Sequence, residues 1–248
     1  MGERLLYTAF KYAVEHEIPY VYLHTFGREH EMLISLCEDF GFQYAGKYNN
    51  RDDVYLKKML PPKALNNEID PLAYAIEYYP HFIEGEEIGK FIVPIRPQYH
   101  NDLFADISDT ARGLFADDPS MYGSQSNTIK KAYICHTNTR HIEPGDLLLF
   151  YRTHDRKSIE CIGVVEQMYR GKDVSKVLPL VSKRTVYSRM EIEARLKKET
   201  LVILFRLMRT FPPILYPLLE ESGVQGPIQS IRKITHEQYL RCINWSQN

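Results

Sequence analysis

SNTIKKAYICHTNTRHIEPGDLLLFYRT, residues 126–153, holds two β-rich runs joined by a polar connection. The first, KKAYICH, opens on two lysines and goes on in β-forming residues, a basic strand. The second, LLLFY, is continuously apolar, the pattern of a strand buried on both faces. Between them Pro144-Gly145-Asp146 makes a turn: Pro144 fixes φ, Gly145 takes the unusual dihedral, and Asp146 bonds the turn backbone. If the two strands are antiparallel neighbours, Lys130, Lys131, Tyr133 and His136 come beside Tyr151, Arg152 and His154. Cations beside aromatic faces suit a single-stranded or flipped nucleotide, whose phosphates take Lys and Arg while its base stacks on a ring. The plainer alternative is that Lys130 and Lys131 are solvated edge charges that discourage aggregation. Asn127 and Ser230, at strand entries, are candidates for bonding a base edge, and Arg232 extends the basic set.

Working outward, SIECIGVVEQMY and TLVILFRLMRTF are further strands, and KFIVPIRP upstream is another. Residues 188–198 have helical spacing, ILYPLLEESGV is a short helix, and THEQYLRCIN is a last helix opened by Thr235 as N-cap. Strands outnumber helices, so residues 89–248 are expected to form a mixed β-barrel with peripheral helices. Residues 100–126 are polar and irregular.

The N-terminal 60 residues are patterned differently. Residues 3–16 are an amphipathic helix, 18–26 an alternating strand, and 28–40 a second helix stopped by Gly41. Two short strands follow around the turn-prone NNRDD, giving the order helix, strand, helix, strand, strand. PPKALNNEIDP (61–71) is without periodicity, so 61–88 is expected to be a linker carrying one short helix. The fold class is α+β.

Lys plus Arg number 31 against 32 Asp plus Glu, so no global field marks a nucleic-acid or membrane binder, and any basic surface is local. The four cysteines form no CxxC pair, which argues against a zinc site or disulfide framework and for a reducing, cytoplasmic setting. No apolar run reaches a membrane span, and no HExxH, Walker loop or GxGxxG is present. No metal site is expected. The 18 tyrosines fit either cores or base-stacking pockets.

Two resemblances follow from these stretches. Residues 2–60 resemble the C-terminal half of GNAT acetyltransferases, through Gly2-ERLLYTAFKYA, IPYVYLHTF and the exit Phe40-Gly41-Phe42. The resemblance implies acetyl-CoA held by backbone N–H groups at a helix start, with Gly2 as the matching position. The chain departs from that pattern in lacking the glycine-rich loop and the strand before it. It carries Cys37 where many relatives have a general-acid Tyr, and His30 where they often have Asn. Cys37 reads as a core thiol or as an acyl acceptor. A GNAT-like half-domain alone is expected not to bind acetyl-CoA. Its unpaired strand 18–26 leads us to expect a homodimer.

Residues 126–153, SIECIGVVEQMY and GPIQSIRKITHEQYLRCI (226–243) resemble a PUA-like barrel of the EVE and ASCH kind, which implies recognition of RNA or a modified nucleobase. On that resemblance the leading expectation is a binding module with no catalytic residue and no cofactor. The alternative is an N-acetyltransferase using acetyl-CoA once the missing half is supplied.

Overall fold

The computed structural model describes residues 2–25, 30–62, 69–104 and 129–244. The chain divides into two compact units, Met1–Ile83 and Glu84–Asn248.

The first unit runs α1 (Gly2–Glu15), β1 (Tyr20–Thr25), α2 (Glu31–Glu38), β2 (Gln43–Tyr48), β3 (Asp52–Lys58) and α3 (Pro71–Glu77). The element order matches the expectation. The three strands form an antiparallel sheet in the order β1-β3-β2. Asn49 and Asn50 both take left-handed φ, 50° and 53°, in the β2–β3 turn, which Asn tolerates better than most residues. Gly41 ends the second helix with φ 80°, and a Cβ there would lie 2.5 Å from the Ile76 carbonyl.

That close approach places α3, within the stretch expected to be a linker with one short helix, inside the first unit. Helix α3 packs into the first unit, where Lys57 Nζ donates to the Glu77 carbonyl at 2.8 Å and lies 5.3 Å from the Phe10 ring centre. Phe10 also packs on Tyr79, 5.7 Å between ring centres, and on Phe40 and Phe42. Pro71 at the helix start and the Asp70 carboxylate, which accepts from Ala73 N at 2.7 Å, cap α3 as the sequence favours.

The second unit contains β4 (Lys90–Ile95), α4 (Pro97–Leu103), β5 (Lys130–Cys135), β6 (Leu147–Arg152) and β7 (Ser158–Gly171). It continues with α5 (Val174–Val181), α6 (Arg189–Arg195), β8 (Thr200–Leu215), α7 (Tyr216–Glu221), β9 (Arg232–Ile234) and α8 (His236–Asn244). Its six strands lie in the order β5-β8-β7-β6-β4-β9, with β4 parallel to β6 and every other neighbour antiparallel. Among the described residues the ladder does not close, so the expected barrel is corrected to a curved, open sheet. Helices α5 and α6 pack on one side of it.

Strand β8 shows why the sheet has two buried faces. Leu201, Ile203, Phe205 and Leu207 enter one cluster with Phe91, Leu148 and Phe150, while Val202 and Leu204 enter a second with Ala132, Ile134, Val177 and Ile192. Alternation along a strand sends successive side chains to opposite faces, so one strand serves both clusters. The caps follow the sequence: Ser188 and Glu191 form a capping box on α6, and Thr235 Oγ1 accepts from Gln238 N at 3.1 Å. The PGD turn also forms. Gly145 has φ 93°, and Asp146 accepts from Glu143 N and Gly89 N, both at 2.8 Å, tying the turn to the start of β4.

On α4, His100 is buried against Phe104, and neither ring nitrogen has a hydrogen-bond partner among the described residues. Burial pulls its imidazole down to about 4, against a smaller opposing pull from Glu160. The unfolded chain then binds a proton near pH 6.5 that the folded chain refuses until about 4. Its contribution is complete above the unfolded value and declines as pH falls towards 4. Urea denaturation at pH 7 and pH 4.5 checks this. His100→Leu should lose less stability between the two, by on the order of 2 kcal/mol. An identical pH slope in the variant would refute a neutral, buried imidazole.

Candidate functional site

The second unit carries an open cavity of about 900 Å³ at the end of the sheet where β4, β5 and β6 finish. Its size lies within the roughly 300–1,000 Å³ typical of small-ligand sites. Five tyrosines line it, Tyr99, Tyr133, Tyr151, Tyr187 and Tyr216, together with Arg96, Lys157, Arg195, His136 and His154. No Asp or Glu is among the described lining residues.

Each wall is fixed by bonds that can be followed from the strands. Tyr133 projects from β5 and donates its hydroxyl to the Pro94 carbonyl on β4 at 2.6 Å. Tyr99, on the first turn of α4, packs on Tyr187 with ring centres 4.9 Å apart. The Arg195 guanidinium, at the end of α6, lies 4.0 Å from the Tyr187 ring centre and 5.9 Å from that of Tyr99. A guanidinium over an aromatic ring is stabilised by about 0.5–2 kcal/mol and leaves a flat, cationic stacking surface. His136 Nε2 lies 3.0 Å from the Arg195 carbonyl and 3.1 Å from Thr200 Oγ1, which holds the end of β5 against α6. Arg170 secures the segment after β5 through the Thr137 and Thr139 carbonyls, at 2.7 and 2.5 Å.

The facing wall is residues 227–231. Arg232 grips it by donating to the Gln225 and Pro227 carbonyls at 2.6 and 3.0 Å, and Tyr216 donates to the Gly226 carbonyl at 3.0 Å. The remaining side is the turn after β6. Arg152 makes a forked contact with Asp155, with bonds of 2.9, 3.0 and 2.5 Å, and also donates to Asn101 Oδ1 at 2.7 Å. This fork holds the Asp155 carboxyl down at about 2, so the lock persists through any ordinary buffer.

The sequence-derived residues therefore separate. Tyr133, His136, Tyr151 and Ser230 line the cavity, as does His154. Arg152 and Arg232 do not; each is used up holding a loop that forms a wall. Lys130 and Lys131 are away from the lining, and both are buried, at 7% and 1% exposure. They are neither cavity cations nor solvated edge charges. The assumption that β5 and β6 are neighbours is the source of that error. β5 pairs with β8, which sets Lys131 opposite Phe205, and its Nζ lies 5.7 Å from the Phe104 ring centre. Lys130 faces the other side, opposite Arg206; there Glu166 pairs with Arg206 at 2.5 Å and with Arg184 at 2.8 Å. Asn127 lies outside the described residues. In the first unit, Gly2 opens α1, and a Cβ there would lie 2.7 Å from Leu36 Cδ2, which gives this glycine a packing role.

Missed from sequence were Arg96, Tyr99, Lys157, Tyr187, Arg195 and Tyr216, which sit on separate segments. The local signals are present in part. Arg96 precedes a proline at a strand end, and Arg195 closes a capped helix. Nothing in their spacing, however, shows that they converge.

Thiol chemistry finds no support at the cavity. Burial drives the Cys135 thiol up to about 12, despite the opposing influence of Arg170 and Arg195. Cys37 is buried in the first unit, and burial raises its thiol too, which fits the core reading. Among the described residues no three His, Cys, Asp or Glu side chains are grouped to hold a metal, and no helix is long and apolar enough to cross a membrane.

No family model matches the chain, and no curated protein matches it. Among solved structures, ASCH from Zymomonas mobilis is similar at 13% identity, over 62% of this chain and 94% of that one, with a TM-score of 0.47. Protein Atu2648 from Agrobacterium tumefaciens is similar at 13% identity, over 64% and 92% of the two chains, with a TM-score of 0.36.

Because burial keeps the Cys135 thiol protonated, iodoacetamide at pH 8 should alkylate it far more slowly in the folded protein than in urea. Peptide mass mapping reads the ratio. Equal rates would show an accessible, ionising thiol at the cavity wall.

Proposed function

We propose that residues 84–248 form a PUA-like domain of the ASCH kind that binds single-stranded RNA or a modified nucleobase in the cavity. The observation that carries this is the composition of the lining: five tyrosines, two arginines and a lysine, with no carboxylate among its described residues. Aromatic rings give bases a stacking surface of any sequence, and uncompensated cations attract phosphate. The raised Cys135 thiol leaves the cavity without a thiolate, in keeping with recognition rather than covalent chemistry.

Titration of a fluorescently labelled single-stranded RNA over a series of salt concentrations tests the proposal. Binding should weaken linearly on a log–log scale as salt rises. Tyr187→Ala and Arg195→Ala should each weaken it roughly 5- to 150-fold, the range for removing one stacking partner. Lys130→Ala and Lys131→Ala should leave the salt slope unchanged. Salt-independent or absent RNA binding, combined with a rise in melting temperature on adding acetyl-CoA, would favour acyl transfer instead.

We also propose that the first unit pairs with a second copy through β1. Among the described residues β1 is an edge of its sheet, and Tyr20 and Tyr22 on it are exposed. An edge strand offers unpaired N–H and C=O groups to another strand. Light scattering should report a dimer, with the amides of 20–25 protected from exchange. A monomer whose 20–25 amides exchange freely would remove this assignment.

A further inference from the structure

Accepting the cavity as a nucleic-acid site, we infer that it is built for a nucleotide, with separate places for the base and the phosphate, and not for a free base or nucleoside. The stacking place is Tyr99, Tyr187 and Arg195, already joined by ring and guanidinium contacts of 4.9 and 4.0 Å. The phosphate place is Arg96 with His154 and Lys157, at the turn after β6.

Three observations set the second group apart. The turn is seated directly against the end of β4, because Thr153 donates to the Ile95 carbonyl from both its N and its Oγ1, at 2.9 and 3.2 Å. That brings the turn beside Arg96, the next residue. The turn is also held in an unusual conformation: His154 and Lys157 both have positive φ, 64° and 50°, though neither is glycine. Such residues persist only where their surroundings enforce them, and here the Arg152–Asp155 fork and the bond from Tyr216 N to the Lys157 carbonyl at 2.8 Å do so. Finally, the charges are uncompensated. The neighbouring Arg152 and Arg156 each meet a carboxylate, Asp155 at 2.5 Å and Glu160 at 3.5 Å. Arg96 and Lys157, both exposed, are among the lining residues and meet no carboxylate among the described residues. Lys157 on a prearranged turn and Arg96 beside it, next to paired cations, are arranged for an anion from outside the chain. The anion of a ligand whose base lies on Tyr187 and Arg195 is a phosphate.

Calorimetric titration of the full chain with adenosine, AMP, cytidine and CMP separates the claims. The monophosphates are expected to bind at least tenfold more tightly than their nucleosides. The double variant Arg96→Ala/Lys157→Ala should lose that preference and keep its affinity for the nucleosides. Arg156→Ala, whose charge is already paired, should keep it. Equal affinity for nucleoside and monophosphate, or a preference that survives the double variant, overturns the phosphate place while leaving the cavity as a base-binding site. If neither class binds and labelled RNA also fails, the nucleic-acid reading itself falls, and this inference with it. Circular dichroism of the variants confirms their fold, since Arg96 and Lys157 are exposed side chains.

Discussion

The hydroxyl of Tyr133 meets the carbonyl of Pro94 across 2.6 Å, and the cavity depends on that bond. In ladder order β5 and β4 stand four places apart, with β8, β7 and β6 between them. The sheet must curve through all of these for the two to touch. A strongly twisted sheet of this width curls readily, and a side-chain bond takes the place of the missing ladder. Burial keeps the phenol protonated, far above its ordinary range, so it remains a donor. Once β5 and β4 are joined, Tyr99, Tyr187 and the turn after β6 reach the same cavity as Tyr133.

Charge is distributed by the same logic. Arg152, Arg170 and Arg232 could each have met a ligand, yet each spends its donors on a carboxylate or on backbone carbonyls. They shape the loops, and only then do Arg96, Lys157 and Arg195 have a cavity to face. A guanidinium suits this use because its five donors lie in one plane and satisfy two acceptors at once.

Much of the fold was legible from residue pattern, because its determinants are local. Alternation marked β1, continuous apolar runs marked β6 and β8, helical spacing marked α6, and Thr235 marked a helix start. The PGD turn formed with the dihedral and bonds its residues imply. Strand adjacency was not legible. Lys130 and Lys131 look like surface charges in a one-dimensional reading, and only the insertion of β8 beside β5 buries them. The site failed for the same reason in part: Tyr133, Tyr151 and Ser230 could be picked as polar or aromatic residues near strand ends, whereas Tyr187 and Arg195 come from a helical excursion between β7 and β8.

Strand β8 has one more consequence, for the order of events in folding. Its pairing with β5 joins Lys130 to Arg206 and Cys135 to Leu201, residues far apart along the chain. The same strand supplies side chains to both apolar clusters, so neither cluster can assemble before it arrives. Contacts of such long sequence separation are closed against loop entropy and slow the search. The hairpin of β6 and β7, joined by residues 153–157, is the more local pairing and closes at the least loop entropy, so β5 with its Tyr133 docks late. The cavity is therefore among the last features of the second unit to form and, by reversal, among the first that a partly opened molecule gives up.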